Sequence, residues 1–280
     1  MTPRSSGAGR NTWCSSPSRG NLKTTAVIDG ERRFQECGNG RKISKNGAME
    51  AVPEDWRRAL AIVAHPDDLE YGASAAVAKW TAQGKTVVEV LATRGEAGID
   101  SMDPEDVRAI RTQEQIEAAR QVGVDTVEFL DLADGMLEYG LPLRREIARA
   151  IRRHRPEVVI SLNFRETWPG GVGFNMADHR AMGLAVADAV RDAANRWVFR
   201  DLELEPWQGV RFALFGGSPQ ATHYVDVTGH LDAGIASLQA HKVYFDNLGA
   251  EFDPAASLTD MASGQVDGVT HAIQFELIEL

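Results

Sequence analysis

From Ala59 onward, short apolar, β-branched runs alternate with longer stretches whose apolar residues recur at helical spacing. A strand of period two and a helix of period 3.6 bury different faces, so this alternation restricts the fold more than any other feature. Ala59–Ala64 reads as a buried strand that ends at His65-Pro66. Glu70–Gln83 follows as a helix, with Ala73, Val77 and Trp80 on one face and Gly84 as its stop. Thr86–Ala92 is a second strand, and Asp103-Pro104 opens a helix that runs to Val122 and is closed by Gly123. Val127–Leu132 is a third strand. A helix marked by Leu143, Ile147, Ala150 and Ile151 ends at Pro156, and Val158–Leu162 is a fourth strand. A loop rich in Gly, Trp and Pro leads to a helix over Asp178–Trp197. Arg211–Phe215 and Tyr224–Val227 are later strands, Leu231–Leu248 is one long helix, and Ile273–Leu280 alternates apolar and acidic residues like an edge strand. The expected fold is α/β, a Rossmann-like three-layer sandwich with a mostly parallel sheet.

Length and charge narrow the function. The chain has 280 residues, which suits one packed domain better than two. Residues 51–280 carry the alternating pattern. Residues 1–48 are rich in Gly, Ser, Arg, Lys and Asn without periodicity, so residues 1–50 are expected to form a disordered or non-native extension, with Met49 as a candidate natural start. The net charge of −10 disfavours nucleic acid and anionic membranes as partners. There is no apolar run long enough to span a bilayer and no secretory h-region, so a cytoplasmic location is expected. Homo-oligomers stay open. Both cysteines, Cys14 and Cys37, lie in the N-terminal stretch, so a disulfide framework is not expected and a metal in the domain would be held by His and carboxylates.

The chemistry concentrates in two loops. In a doubly wound sheet, ligands bind outside the carboxyl ends of the strands where the order reverses, here the first and the fourth. No GxGxxG follows the first strand, which disfavours a dinucleotide. His65-Pro66-Asp67-Asp68 stands there instead, and the loop after the fourth strand ends in Asn175-Met176-Ala177-Asp178-His179. Two imidazoles and a carboxylate, His65, Asp68 and His179, make a three-ligand set for catalytic zinc with a fourth position open to water. Pro66 holds His65 extended, and Asp67 is placed to take a proton from that water. Taken alone, each Asp could equally cap the helix that follows it. His223 and His241 are candidates for lining the same pocket. Trp168, beside Pro169, Gly170 and Gly171, suits either a wall that stacks on a sugar or a plain connection.

These residues resemble a known family. Ala64-His65-Pro66-Asp67-Asp68 with Glu70, Thr93-Arg94-Gly95-Glu96, and Asp178-His179-Arg180-Ala181 look like the PIG-L/LmbE-like N-acetylglucosaminyl deacetylases, over the chain from about Ala59 to His241. The resemblance implies one zinc ion per chain on His65, Asp68 and His179, with Asp67 as general base. It implies hydrolysis of an N-acetyl group from a small-molecule amino-sugar conjugate. Arg94, and more weakly Asp134, are the implied substrate-binding residues. The sequence departs from the family at Met176, where relatives carry a histidine that stabilises the oxyanion and protonates the leaving amine. Methionine does neither. Asp67 could return its proton, His223 could supply the imidazole, or the protein could bind zinc and sugar with little turnover. Asn175 could offer a hydrogen bond to an oxyanion. Another metallohydrolase, such as a two-metal phosphoesterase, is the further alternative.

Overall fold

The structure is a computed structural model that describes residues 49–248 and 252–280. The expectation for residues 1–48 lies outside them. Among the described residues eight strands form one sheet: β1 (Glu50–Ala51), β2 (Arg58–Val63), β3 (Thr86–Leu91), β4 (Thr126–Phe129), β5 (Val158–Leu162), β6 (Phe212–Gly216), β7 (His223–Asp226) and β8 (Ala272–Glu279). Their spatial order is β1-β7-β8-β6-β5-β2-β3-β4. Every pairing is parallel except the two made by β8, which runs antiparallel to β6 and β7. The order reverses between β2 and β5, which pair directly through Ala59↔Val158 to Ala61↔Ile160. Their carboxyl ends therefore open side by side, where the switch-point rule puts a ligand.

Eight helices flank the sheet among the described residues: α1 (Asp68–Gly72), α2 (Ser74–Ala82), α3 (Pro104–Gln121), α4 (Leu141–His154), α5 (Ala177–Ala194), α6 (Leu231–Gln239), α7 (Lys242–Asp246) and α8 (Pro254–Ala262). The period-two alternation of β2 splits the core. Ala59, Ala61 and Val63 pack with α2, α6 and α8 on one face, while Leu60, Ile62 and Ala64 pack with α4 and α5 on the other. Helix α3 starts where the sequence predicts, with the Asp103 carboxylate accepting from the Glu105 N–H and Pro104 in the first turn.

Three expectations are corrected. The helix foreseen over Glu70–Gln83 is broken at Ala73, whose φ of −154° and ψ of −13° leave the helical region. Next to the break the chain makes a backbone-to-backbone contact: a Cβ on Gly216, at the end of β6, would lie 2.5 Å from the Gly72 carbonyl oxygen. Only glycine there lets α1 sit on the strand ends. The single helix foreseen over Leu231–Leu248 is two, α6 and α7, and α8 follows unforeseen. The foreseen edge strand is interior: β8 lies between β6 and β7. Its Glu276, acidic on a buried strand, is satisfied by Arg165 and by the Ser218 hydroxyl at 2.6 Å. No helix among the described residues is long and apolar enough to cross a membrane.

Candidate metal centre

The turn after β2 builds half of the site from its own backbone. The Asp68 carboxylate accepts from the N–H groups of Ala64 (3.0 Å) and His65 (2.9 Å), so it folds back over the end of the strand and faces the ring of His65. Asp67 takes a left-handed backbone, φ 85° and ψ −18°. For a non-glycine residue this stores about 1–3 kcal/mol, which the surroundings must over-determine. The other half comes from the first turn of α5, reached from β5 through the loop at residues 163–176. That turn places the His179 ring 5.2 Å, centroid to centroid, from that of His65.

His65, Asp68 and His179 each offer one ligand atom, and these atoms lie within 4.8 Å of one another. His179 Nε2 is 3.1 Å from Asp68 Oδ1, and His65 Nδ1 is 3.6 Å from Asp68 Oδ2. The far nitrogens are engaged elsewhere. His65 Nε2 faces Asp134 Oδ1 at 3.1 Å and Asp178 Oδ2 at 3.2 Å, and His179 Nδ1 faces Asn175 Oδ1 at 3.0 Å. Those partners can only accept, so each far nitrogen carries an N–H and each near nitrogen, facing Asp68, is the one available to ligate a metal. A divalent ion fits this donor set. His65, Asp134 and Asp178 also cluster. Their carboxylates, however, are occupied by backbone N–H groups: Ala97 on Asp134 and Gly135 and Leu137 on Asp178. That second group acts as the orienting shell for His65.

The electrostatics match. Burial alone would discharge His65, but Asp68, Asp134 and Asp178 outweigh it and push the imidazole up to about 12. Burial would likewise raise Asp68, yet His179 and His65 hold it well below the usual carboxylate range. A metal would take the place of the imidazole proton, because a ligating histidine must be neutral. Asp67 goes the other way: burial, with the adjacent Asp68 charge, raises it to about 6 against the pull of Arg111. The site opens into a cleft of about 370 Å³ walled by Tyr71, Trp168, Met176, Tyr244 and Met261. Trp168 meets the His179 ring edge-on, 5.8 Å between centroids.

The remaining sequence-expected residues fall outside this geometry or play another part in it. Arg94 does not line the cleft: its Nε donates to Asp131 (2.6 Å), its Nη1 to Thr112 (2.8 Å), and its guanidinium lies 4.2 Å over the Phe129 ring. Asp134 does line it, as a partner of His65. Asn175 has no proton left for an oxyanion, since its amide donates to the carbonyls of Asn163 (2.7 Å) and Arg165 (3.0 Å). His223 opens β7, with β8 and β6 standing between it and β5, and does not line the cleft. Three strand spacings of about 4.8 Å separate it from the site. His241 is fully buried behind the cleft, its Nε2 3.7 Å from Glu70 Oε2. Asp178 caps nothing: its carboxylate serves His65 and the loop at Gly135–Leu137. Sequence reasoning missed Arg111 and Gln115, both on α3 and both touching the Asp67 turn.

Comparison with known proteins bears on the same residues. The family model described as "PIG-L: GlcNAc-PI de-N-acetylase" matches residues 60–190, which contain the whole donor set. A curated diacetylchitobiose deacetylase of Thermococcus kodakarensis is 26% identical over 226 residues, 78% of this chain and 82% of that one. A 1D-myo-inositol 2-acetamido-2-deoxy-alpha-D-glucopyranoside deacetylase of Kineococcus radiotolerans is 30% identical over 251 residues, 66% of this chain and 68% of that one. Among solved structures, N,N'-diacetylchitobiose deacetylase from Pyrococcus horikoshii superposes with a TM-score of 0.72 at 24% identity, covering 81% of this chain and 85% of that one, which shows a shared fold.

Proposed function

Because the chain belongs to the PIG-L de-N-acetylase family, we propose that it hydrolyses an N-acetyl group from a small amino-sugar conjugate in the cytoplasm, using one zinc ion held by His65, Asp68 and His179. The observation that carries the reading is the convergence of these three donors, each imidazole oriented from behind by an acceptor, at the floor of an open cleft. Two imidazoles and one carboxylate suit zinc and leave a position for water. When bound, the ion supplies a Lewis acid that polarises the acetyl carbonyl and acidifies water.

The protein's own groups do the rest. Asp67 borders the cleft beside the donor set, and its raised pKa suits a base that takes a proton from the attacking water near neutral pH. The departing amine must then be protonated. Met176 stands at the rim, half exposed, and has no proton to give. Asn175 spends both amide protons on the carbonyls of Asn163 and Arg165 and His223 lies on β7, so Asp67 returns the proton it took. Slow turnover is the second reading, and Met176 is the observation that favours it.

The test is metal analysis of the purified protein together with amine release from N-acetylglucosamine, N,N'-diacetylchitobiose and an N-acetylglucosaminyl inositol. One zinc per chain and measurable release are expected. His179→Ala should lose metal and activity together. Asp67→Asn, which keeps a residue tolerant of the left-handed backbone, should keep the metal and lose most turnover. Two ions per chain, or an Asp67→Asn variant near the wild-type rate, would overturn the assignment.

A further inference from the structure

Asp67 is the one member of the site whose backbone is strained, and two side chains from a single helix hold it. Arg111 and Gln115 are four residues apart on α3, so they project from the same face one turn from each other. Arg111 Nη2 donates to the Pro66 carbonyl at 2.6 Å and lies 3.3 Å from Asp67 Oδ2. Gln115 Oε1 accepts the Asp67 N–H at 3.2 Å. One side chain therefore grips the peptide before Asp67 and its carboxylate, and the other grips its amide.

Both jaws are held rigidly themselves. The Gln115 amide cannot turn around: its Nε2 donates to Glu70 Oε1 (3.2 Å) and to Glu89 Oε2 (3.1 Å), so its oxygen must face Asp67. The Arg111 guanidinium is closely packed. Tyr244 stacks on it, 3.7 Å from ring centroid to Cζ, and Gly95 and Gly98 come up against it without side chains. A Cβ on Gly95 would lie 2.6 Å from Arg111 Nη1, and one on Gly98 2.8 Å from it. Arg111, Gln115, Glu70 and Glu89 are all buried, so water does not compete for these bonds.

We propose that Arg111 and Gln115 form a clamp that fixes the left-handed turn at Asp67 and so aims its carboxylate at the water beside the donor set. Both are positioning residues. This rests on the deacetylase reading for its catalytic consequence and on the hydrogen bonds alone for its mechanical one. The metal donors are not gripped by the clamp: Asp68 is held by the N–H groups of Ala64 and His65, and His179 by Asn175. Loosening the clamp should misdirect the base and leave the metal in place. A misplacement of about 1 Å costs up to about a hundredfold in rate.

The test uses Gln115→Met, which fills the same space without an acceptor, and Arg111→Lys, which keeps a cation without the fork. Each is compared in the wild-type and Asp67→Asn backgrounds with the zinc-loaded protein and N,N'-diacetylchitobiose. The expected result is a fall in kcat of about 10- to 100-fold, with KM within about twofold and one metal per chain, and no further fall in the Asp67→Asn background. An undiminished kcat, a loss that adds to that of Asp67→Asn, or loss of metal would overturn the proposal. If Gln115→Met does not fold, Arg111→Lys carries the kinetic comparison alone. Amide hydrogen exchange separates this inference from the functional reading. In Gln115→Met the amides of residues 67–68 should exchange about tenfold faster while the rest of α3 keeps its protection. Unchanged exchange there refutes the clamp whether or not any substrate is turned over. A wild-type protein that releases no amine from any probe refutes the functional reading and leaves the exchange result standing.

Discussion

Replacing Glu89 by glutamine should change how stability depends on pH, and the size of the change follows from where β3 puts that side chain. Glu89 is 1% exposed, in contact with Gln115 and facing Glu70. Burial first, and the Glu70 charge second, raise its carboxyl from 4.5 to about 8. The folded state thus holds a proton that the unfolded chain gives up at much lower pH. A raised acid of this kind stabilises fully below the unfolded value and loses that contribution as pH climbs to the folded one. At about 1.4 kcal/mol per pH unit, the contribution is several kcal/mol below pH 4, shrinks through neutral pH, and is gone above about pH 9. Glutamine imitates the protonated acid, still accepts from the Gln115 amide, and does not titrate. Urea unfolding of both proteins between pH 5 and pH 9 measures the difference. The stability of Glu89→Gln relative to wild type should rise by about 1.4 kcal/mol per pH unit between pH 5.5 and 7.5 and level off above pH 8. Other titrating groups largely cancel in the comparison. Two curves that run parallel across this window would refute the assignment of a buried, protonated Glu89.

Other perturbations separate the parts of the cleft. Asn175→Ala should weaken metal binding by about 10- to 100-fold, measured by competition with a chelator, because His179 loses the acceptor that sets its tautomer. Met176→His should raise kcat by about tenfold or more without altering metal content, since it supplies a proton donor at the cleft rim; an unchanged rate would mean the amine is already well served. Arg94→Ala should shift KM by less than about threefold, as its guanidinium is committed to Asp131, Thr112 and Phe129. An exposed pair of this kind contributes at most about 1 kcal/mol to stability.

What the sequence disclosed and what it hid follow a physical line. His65, Asp68 and His179 were legible because the first two follow β2 directly and the third opens the helix after β5, and strand order alone decides which strand ends meet. The partners of Arg94 were not legible, because nothing in Thr93-Arg94-Gly95-Glu96 announces that Phe129 and Asp131, on the neighbouring strand end, will hold it. The sequence offers Asn175 as an oxyanion donor and Asp178 as a cap; their work behind the two imidazoles depends on ring orientation, which periodicity does not encode. Arg111 and Gln115 did leave a trace. Helix α3 buries a face yet offers few large apolar residues, and Arg111, Glu114 and Gln115 are among the side chains it buries. A helix forced to bury polar groups must meet polar partners. The alternation of Ile273–Leu280 misled, because Glu276 looked like a solvent-facing residue and instead meets Arg165 and Ser218 inside the sheet.

The position of β8 has a bearing on how the protein is made. It is synthesised after every other strand, yet it is the piece that joins β7 and β1 to the rest of the sheet. The strands and helices that frame the metal cleft from β2 to α5 precede it by about eighty residues and can assemble on the ribosome as a parallel half-sheet. Until β8 arrives, β6 presents an open edge to its surroundings. Nascent chains stalled just before Ala272 should therefore already gather the donor residues while remaining prone to sticking to one another, a hazard that ends when the final strand slots in.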